Sequence, residues 1–300
     1  MQMYRTFGLV LSSPLPLPEL IPAEGVADVV VHFDRINLPS EPLPGRPCVL
    51  ATATEAWFSY PDIGRFGVAD GKEIVVDPYD GVDEVALRQT LLGSVLAMVL
   101  HQRGLFVLHG SAVGREDGAV AIVAESGYGK STTAAALVAE GFTLLSDDIV
   151  AVRHEADDQP CVLPGFPEIN LWSDVGPMVR DDSRQVLTRV ENRTKSSYRL
   201  GASHATGAIP LRRVYVLDVD DRAGITPLPR SERLRILFDH TFGPEIMRFE
   251  PPKAVFEACS RLVLSIPVRR LTRTTSLDDL PRFVESILHD LDEERNLTPT

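Results

Sequence analysis

The stretch Ala119-Val-Ala-Ile-Val-Ala-Glu-Ser-Gly-Tyr-Gly-Lys-Ser-Thr-Thr133 decides the fold. Its first six residues are all apolar, as in a strand buried on both faces. From Lys130 the run Lys-Ser-Thr-Thr-Ala-Ala-Ala-Leu-Val-Ala-Glu140 reads as a helix, closed by Gly141. Between them, Ala124-Glu-Ser-Gly-Tyr-Gly-Lys-Ser131 follows the phosphate-loop pattern GxxxxGK[ST], with alanine in place of the first glycine. The physics of such a loop survives that change. A helix N-terminus offers unpaired amides and the positive end of a dipole to an anion. Gly127 and Gly129 permit the positive φ values that turn successive amides inward. Glu125, Ser126, Gly127, Tyr128, Gly129, Lys130, Ser131 and Thr132 are therefore the candidate nucleotide-binding residues. Lys130 is expected to reach the β- and γ-phosphates of ATP, and the Ser131 hydroxyl to be a ligand for Mg2+.

Downstream, Phe142-Thr-Leu-Leu-Ser146 reads as a second buried strand, ending at Asp147-Asp148. A phosphate-loop site needs a carboxylate near its metal, and a strand end shortly after the loop helix is where it arises. Neighbouring side chains on an extended chain point oppositely, so the two aspartates should differ in role. One would organise Mg2+. The other would accept a hydroxyl proton, which makes a kinase rather than a simple hydrolase. Upstream, Phe106 to Val113 reads as a strand that turns at Gly114–Gly118 into the loop strand. His109 lies at the edge of that pair, near the expected phosphates, with a packing role as the alternative.

Further out, Leu87, Leu91, Val95 and Met98 step by four, four and three, which predicts a helix over Asp83–Gln102. Asp83 suits its N-cap and Gly104 follows its end. The first 80 residues are rich in proline and short β-type runs, including Val26–Phe33, Phe66–Val68 and Glu73–Val76. Asp70-Gly71 between the last two is a hairpin signal. Residues 1–80 are thus expected to form a small β-rich domain, and residues 81–300 the domain that carries the loop. Val214–Leu217 reads as a strand, and Ser231–Phe238, Lys253–Leu264 and Asp278–Asp292 as helices. Arg180–Ala208 shows no strong period and reads as a loop region.

Thirty basic against 42 acidic residues give a net charge of −12, which argues against general nucleic-acid binding. Three cysteines, Cys48, Cys161 and Cys259, lie far apart with no CxxC pair, so neither a disulfide framework nor a zinc site is expected. The most apolar stretch, Leu91–Leu100, is about half the length needed to span a bilayer. The N-terminus lacks a basic segment followed by a long apolar run. A cytoplasmic protein without membrane partners is the expectation.

Together these residues resemble a known family. His109-Gly-Ser-Ala-Val, a hairpin, Glu125-Ser-Gly-Tyr-Gly-Lys-Ser131 and Glu140-Gly-Phe-Thr-Leu-Leu-Ser-Asp-Asp148 occur in the order seen in the catalytic domain of HPr kinase/phosphorylase. Leu100-His-Gln-Arg-Gly-Leu105, Pro164-Gly-Phe-Pro-Glu-Ile-Asn-Leu-Trp172 and Pro210-Leu-Arg-Arg-Val-Tyr-Val-Leu217 are similar to a divergent branch that includes lasso-peptide kinases. The resemblance implies an α/β fold: a P-loop kinase core of the HPr kinase and phosphoenolpyruvate carboxykinase type, with antiparallel strands mixed into the sheet. It also implies roles. Asp147 would be the base toward a substrate serine, Asp148 would help hold the metal with Ser131, and His109 would sit near the base and the transferring phosphoryl group. Lys195 falls where the branch often has a lysine. The segment after the core lacks the family's signature, so neither phosphorylase activity nor HPr as substrate follows.

The leading expectation is an ATP- and Mg2+-dependent kinase that phosphorylates a serine hydroxyl of a peptide or small protein. A kinase for a small hydroxylated metabolite would use the same core. A nucleotide-responsive scaffold with little turnover would not need the aspartate pair. Trp57, Phe166 and Trp172 are read as core packing or as a peptide groove. No sequence feature marks an oligomer interface.

Overall fold

The computed structural model describes residues 1–40, 43, 45–115, 117–172, 185–189, 195–199, 205, 207–242 and 252–297. The chain is mixed α/β. Residues 2–78 supply β1 (Gln2–Thr6), β2 (Leu9–Ser13), β3 (Ile21–Pro22), β4 (Val29–Phe33), β5 (Cys48–Ala51), β6 (Glu55–Tyr60), β7 (Gly64–Ala69) and β8 (Glu73–Pro78). They form one sheet in the order β3-β1-β2-β4-β8-β7-β6-β5. β7 and β8 pair antiparallel around Asp70 and Gly71, whose φ values are 52° and 60°. Two consecutive left-handed residues are what a tight hairpin of matching twist requires.

The helix expected over 83–102 is interrupted. Asp83 caps α1 (Glu84–Thr90), its carboxylate accepting from the Val85 amide at 3.1 Å. A wide turn follows over Leu91–Val95, where Gly93 has non-helical angles of φ −92° and ψ −107°, and α2 (Leu96–Gln102) then resumes. Glycine has no side chain to penalise this departure, so the apolar period continues across the break unbroken. α1, the wide turn and α2 bury Leu87, Leu91, Val95 and Met98 in one core with the N-terminal sheet, and this core continues to Val107, Ile149 and Ala151.

The second sheet contains β9 (Phe106–Arg115), β10 (Gly118–Val123), β11 (Thr143–Ser146), β12 (Ile149–His154), β13 (Pro160–Leu163), β17 (Ile209–Val219), β18 (Gly224–Pro227) and β19 (Val268–Arg273). β10 is buried along its whole length, as its composition demands. It pairs antiparallel with β9 and parallel with β17. β9 pairs with β12, β12 with β13, and β13 with β17, so these strands close into a small barrel. β19 and then β18 extend the sheet from β17. The barrel's two sides are covered by helices. α3 (Lys130–Ala139) and α6 (Leu280–Leu297) share one core, and α4 (Arg230–Asp239) and α5 (Pro252–Ser265) the other. α3 ends on Gly141 at φ 85°, with Phe142 N donating to Leu137 O and Gly141 N to Val138 O. That pair of bonds satisfies carbonyls the helix itself leaves open.

A third sheet corrects the loop reading of 180–208. β14 (Glu168–Trp172), β15 (Gln185–Arg189) and β16 (Lys195–Arg199) pair in the order β14-β16-β15. The rest of the 180–208 stretch, apart from residues 205 and 207–208, lies outside the described residues, as does the Lys195 side chain. Trp172 is exposed at the end of β14, while Phe166 packs edge-on against Phe7.

α6 is bound to the sheet by a buried polar network. Asp290 receives Arg213, Arg269 and the Tyr215 hydroxyl, the last at 2.6 Å. Arg213 and Tyr215 are both fully buried.

His101 on α2 is also buried, with Nε2 3.3 Å from the Phe242 carbonyl. Burial lowers its pKa to about 4, against the bonding to Phe242. The unfolded chain therefore takes up a proton near pH 6.5 that the folded protein refuses until about pH 4. Stability falls as pH drops through that window, by about 3 kcal/mol from this group. His101→Gln should flatten the dependence of urea-unfolding free energy on pH between 6.5 and 4. A slope unchanged from wild type would remove this explanation.

No helix among the described residues is long and apolar enough to cross a membrane.

Candidate functional site

The loop between β10 and α3 has the geometry its glycines permit. Gly127 and Gly129 hold φ values of 89° and 99°. No side chain caps α3 at Gly129, so the first-turn amides keep their donor capacity for an anion. Glu125, Ser126, Gly127 and Tyr128 are exposed on the loop, while Thr132 is buried in the first turn of α3. Lys130 is also buried, its Nζ donating to the Ala124 carbonyl at 2.9 Å and to the Glu125 carbonyl at 3.4 Å. Lysine has three donor hydrogens on a flexible stem, so such an ammonium can share itself between loop and phosphate.

Asp147 and Asp148 occupy a break in the pairing along β9. β11 pairs with β9 as far as Ser146 opposite Ala112, and β12 resumes at Ile149 opposite His109. The two aspartates therefore face Gly110 and Ser111, and they differ sharply. Asp147 is buried, with Oδ1 accepting from Ser111 at 2.5 Å and from Ser131 at 3.1 Å. Its Oδ2 accepts from the Asn170 amide at 3.1 Å. Asp148 is exposed, at a left-handed φ of 67° that a short polar residue tolerates. Its carboxylate lies 3.4 Å from the Asn170 amide nitrogen Nδ2, and Asn170 Oδ1 accepts from Ser197 at 2.5 Å.

Burial, and next the charge of Asp148, push the Asp147 carboxyl up to about 6, against hydrogen bonds from Ser111, Asn170 and Ser131. Glu168, two residues before Asn170 on the same face of β14, is pushed up to about 7. Burial dominates, with Glu19 and Asp147 adding to it and Ser197 and Arg199 opposing. His109 is half-buried, with Nδ1 3.2 Å from the Asp148 carbonyl. A carbonyl only accepts, so Nδ1 donates. The same carbonyl takes the Gly110 amide at 3.2 Å, which ties the histidine strand to the aspartate turn.

The candidate residues thus come together from three segments. Among them, Ser131 is hydrogen-bonded to Asp147. Ser111, Asn170 and Ser197 were not expected in the site. Ser111 was within reach of strand alternation, since it follows His109 by two on β9. Asn170 and Ser197 arrive through the pairing of β14 with β16, which no local pattern announces.

Among the described residues, no cluster of three or more His, Cys, Asp or Glu forms a metal cage. The donor set nonetheless fits Mg2+, which favours hard oxygen ligands and keeps several waters and phosphate oxygens in its shell. The Ser131 hydroxyl and an Asp147 carboxylate oxygen are hard oxygens of this kind, side by side. The uncapped α3 N-terminus and Lys130 fit the phosphates of a nucleotide.

No family model matches the chain, and no match was found among curated proteins. Among solved structures it is similar to an HPr(Ser) kinase/phosphatase from Coxiella burnetii, at 13% identity and a TM-score of 0.33, over 63% of this chain and 98% of that one.

Proposed function

We propose that the chain is an ATP- and Mg2+-dependent phosphotransferase acting on a hydroxyl acceptor, a serine of a peptide or small protein. The observation that carries the reaction class is the joining of Ser131 in the phosphate loop to Asp147, with exposed Asp148 alongside. A nucleotide-binding scaffold would have no use for a second, solvent-facing carboxylate at that point. The serine acceptor follows from the resemblance of the sequence motifs.

The geometry favours a different division of labour from the one the resemblance implies. Asp147 has three hydrogen bonds and is buried, which leaves little room for an acceptor hydroxyl. With Ser131 it is suited to hold Mg2+, which when bound would neutralise charge on the phosphates. Asp148 is open to solvent and suited to take the acceptor's proton. Asn170 orients both carboxylates at once, Asp147 through its amide N–H and Asp148 through its side chain. His109 holds the Asp148 carbonyl and so fixes the strained turn. Lys130 and the loop amides would spread negative charge on the transferring group.

The test offers the purified protein Mg2+ and γ-labelled ATP with a panel of serine peptides and small alcohols. Label is expected on a peptide serine, with stoichiometric ADP. Transfer only to small alcohols would replace the acceptor class. Nucleotide binding without turnover across the panel would favour the scaffold.

A further inference from the structure

β19 runs parallel to β17, and β17 runs parallel to β10. The carboxyl ends of all three strands therefore meet at one edge of the sheet, the edge that carries the phosphate loop. Ligands of parallel sheets bind outside that edge. β19 ends there at Arg273. Its Nε donates to the Tyr128 carbonyl at 3.0 Å, and Nη1 donates to the Thr274 carbonyl at 2.8 Å. The guanidinium also lies over Gly129: a Cβ built on that glycine would stand 3.0 Å from Nη2. The same group lines a crevice with Thr132 from the first turn of α3 and with Asp279. Asp279 is engaged by the Thr274 hydroxyl at 2.6 Å.

Arg273 is thus a half-buried cation braced by two backbone carbonyls. Among the described residues no carboxylate forms an ion pair with it. A guanidinium carries five donor hydrogens in a planar fork, and the two bonds above use only part of it. Removing such a group from water without an anion is costly, and an anion brought to it recovers that cost. The anion expected a few ångströms away is a nucleotide phosphate.

We propose that Arg273 is a second cation of the phosphate site, contacting the terminal phosphates of bound nucleotide beside Lys130. This rests on the nucleotide-binding reading above. Its ligand class is a nucleoside di- or triphosphate. Because β19 rather than the loop supplies it, the cation stays in place while Lys130 moves between the loop carbonyls and the phosphates.

The test is equilibrium binding of ATP, ADP and AMP, each with Mg2+, to wild type, Arg273→Gln and Arg273→Lys, with folding checked by circular dichroism. Arg273→Gln should weaken ATP by about tenfold or more, ADP by less and AMP hardly at all, as expected for a lost charge-assisted bond to outer phosphates. Arg273→Lys keeps the charge and should recover part of the loss for ATP. It also carries the measurement if the glutamine variant does not fold. An equal loss for all three nucleotides would reduce Arg273 to a brace of the Tyr128 carbonyl and overturn the proposal. So would unchanged ATP binding in Arg273→Gln. If wild type binds none of the three, the nucleotide reading fails, and this proposal with it. If wild type binds ATP and only the Arg273 pattern fails, the function stands without this contact.

Discussion

Asp148→Asn is expected to lower phosphoryl transfer by about 10²–10⁴-fold, the usual contribution of a positioned general base. Nucleotide and Mg2+ binding should hardly change, because the exposed Asp148 makes no bond to the loop. Asparagine also tolerates the left-handed backbone at this position, so the substitution tests chemistry rather than strain. Asp147→Asn is expected to act differently. It removes a charged partner of Ser131, so transfer should fall together with the Mg2+-dependent part of ATP binding. Lys130→Ala should weaken both steps. The measurements are single-turnover transfer and ATP affinity with and without Mg2+. If Asp147→Asn abolished transfer but kept Mg2+-dependent binding, while Asp148→Asn lost that binding, the two roles would be reversed.

Asp290→Ala is expected to destabilise the protein by about 3–5 kcal/mol, because it removes a buried carboxylate that the fully buried Arg213 meets. At this chain length that corresponds to a melting temperature lower by about 5–8 °C. The mechanism makes a second demand. A triple replacement of Arg213, Tyr215 and Asp290 by apolar residues of similar volume should recover much of the loss, since the buried Arg213–Asp290 ion pair is then removed as a whole. Thermal unfolding of both variants decides it. An Asp290→Ala protein that melts with wild type would mean the network contributes nothing to holding α6.

The centre of the fold could be read because its determinants are local. The apolar run of β10, the glycines of the loop and the composition of α3 each specify their own backbone. Asp83 and the Asp70-Gly71 turn did the same for a helix start and a hairpin. The break at Gly93 leaves no mark in the apolar spacing of 83–102, because periodicity is blind to a wide turn that preserves the buried face. Closure of the barrel was not legible. It depends on Val162 pairing with Ile209, and no window of neighbouring residues contains that contact. β15 and β16 are short and polar enough that their alternation fades. The same limit applies to the site. Residue types within the loop raise the expectation of phosphate binding, and Asp147-Asp148 that of a metal or a base. Which aspartate bonds Ser131 depends on how β11 meets α3. Asn170 and Arg273 come from strands far along the chain, so only the assembled sheet reveals them.

The parallel pairing of β10 with β17 has a consequence for the protein's birth. Ala119 pairs opposite Leu211, so β10 leaves the ribosome long before its second neighbour exists. At ordinary rates of elongation the interval is on the order of ten seconds. Throughout it, the edge of this wholly apolar strand that awaits β17 is bare, and the β9 hairpin covers only the other. That is ample time for a nascent chain to meet another like itself, or a chaperone. The loop between β10 and α3 sits at the end of this waiting strand. Competence to bind nucleotide should therefore appear late in synthesis, only after the last third of the chain has joined the sheet.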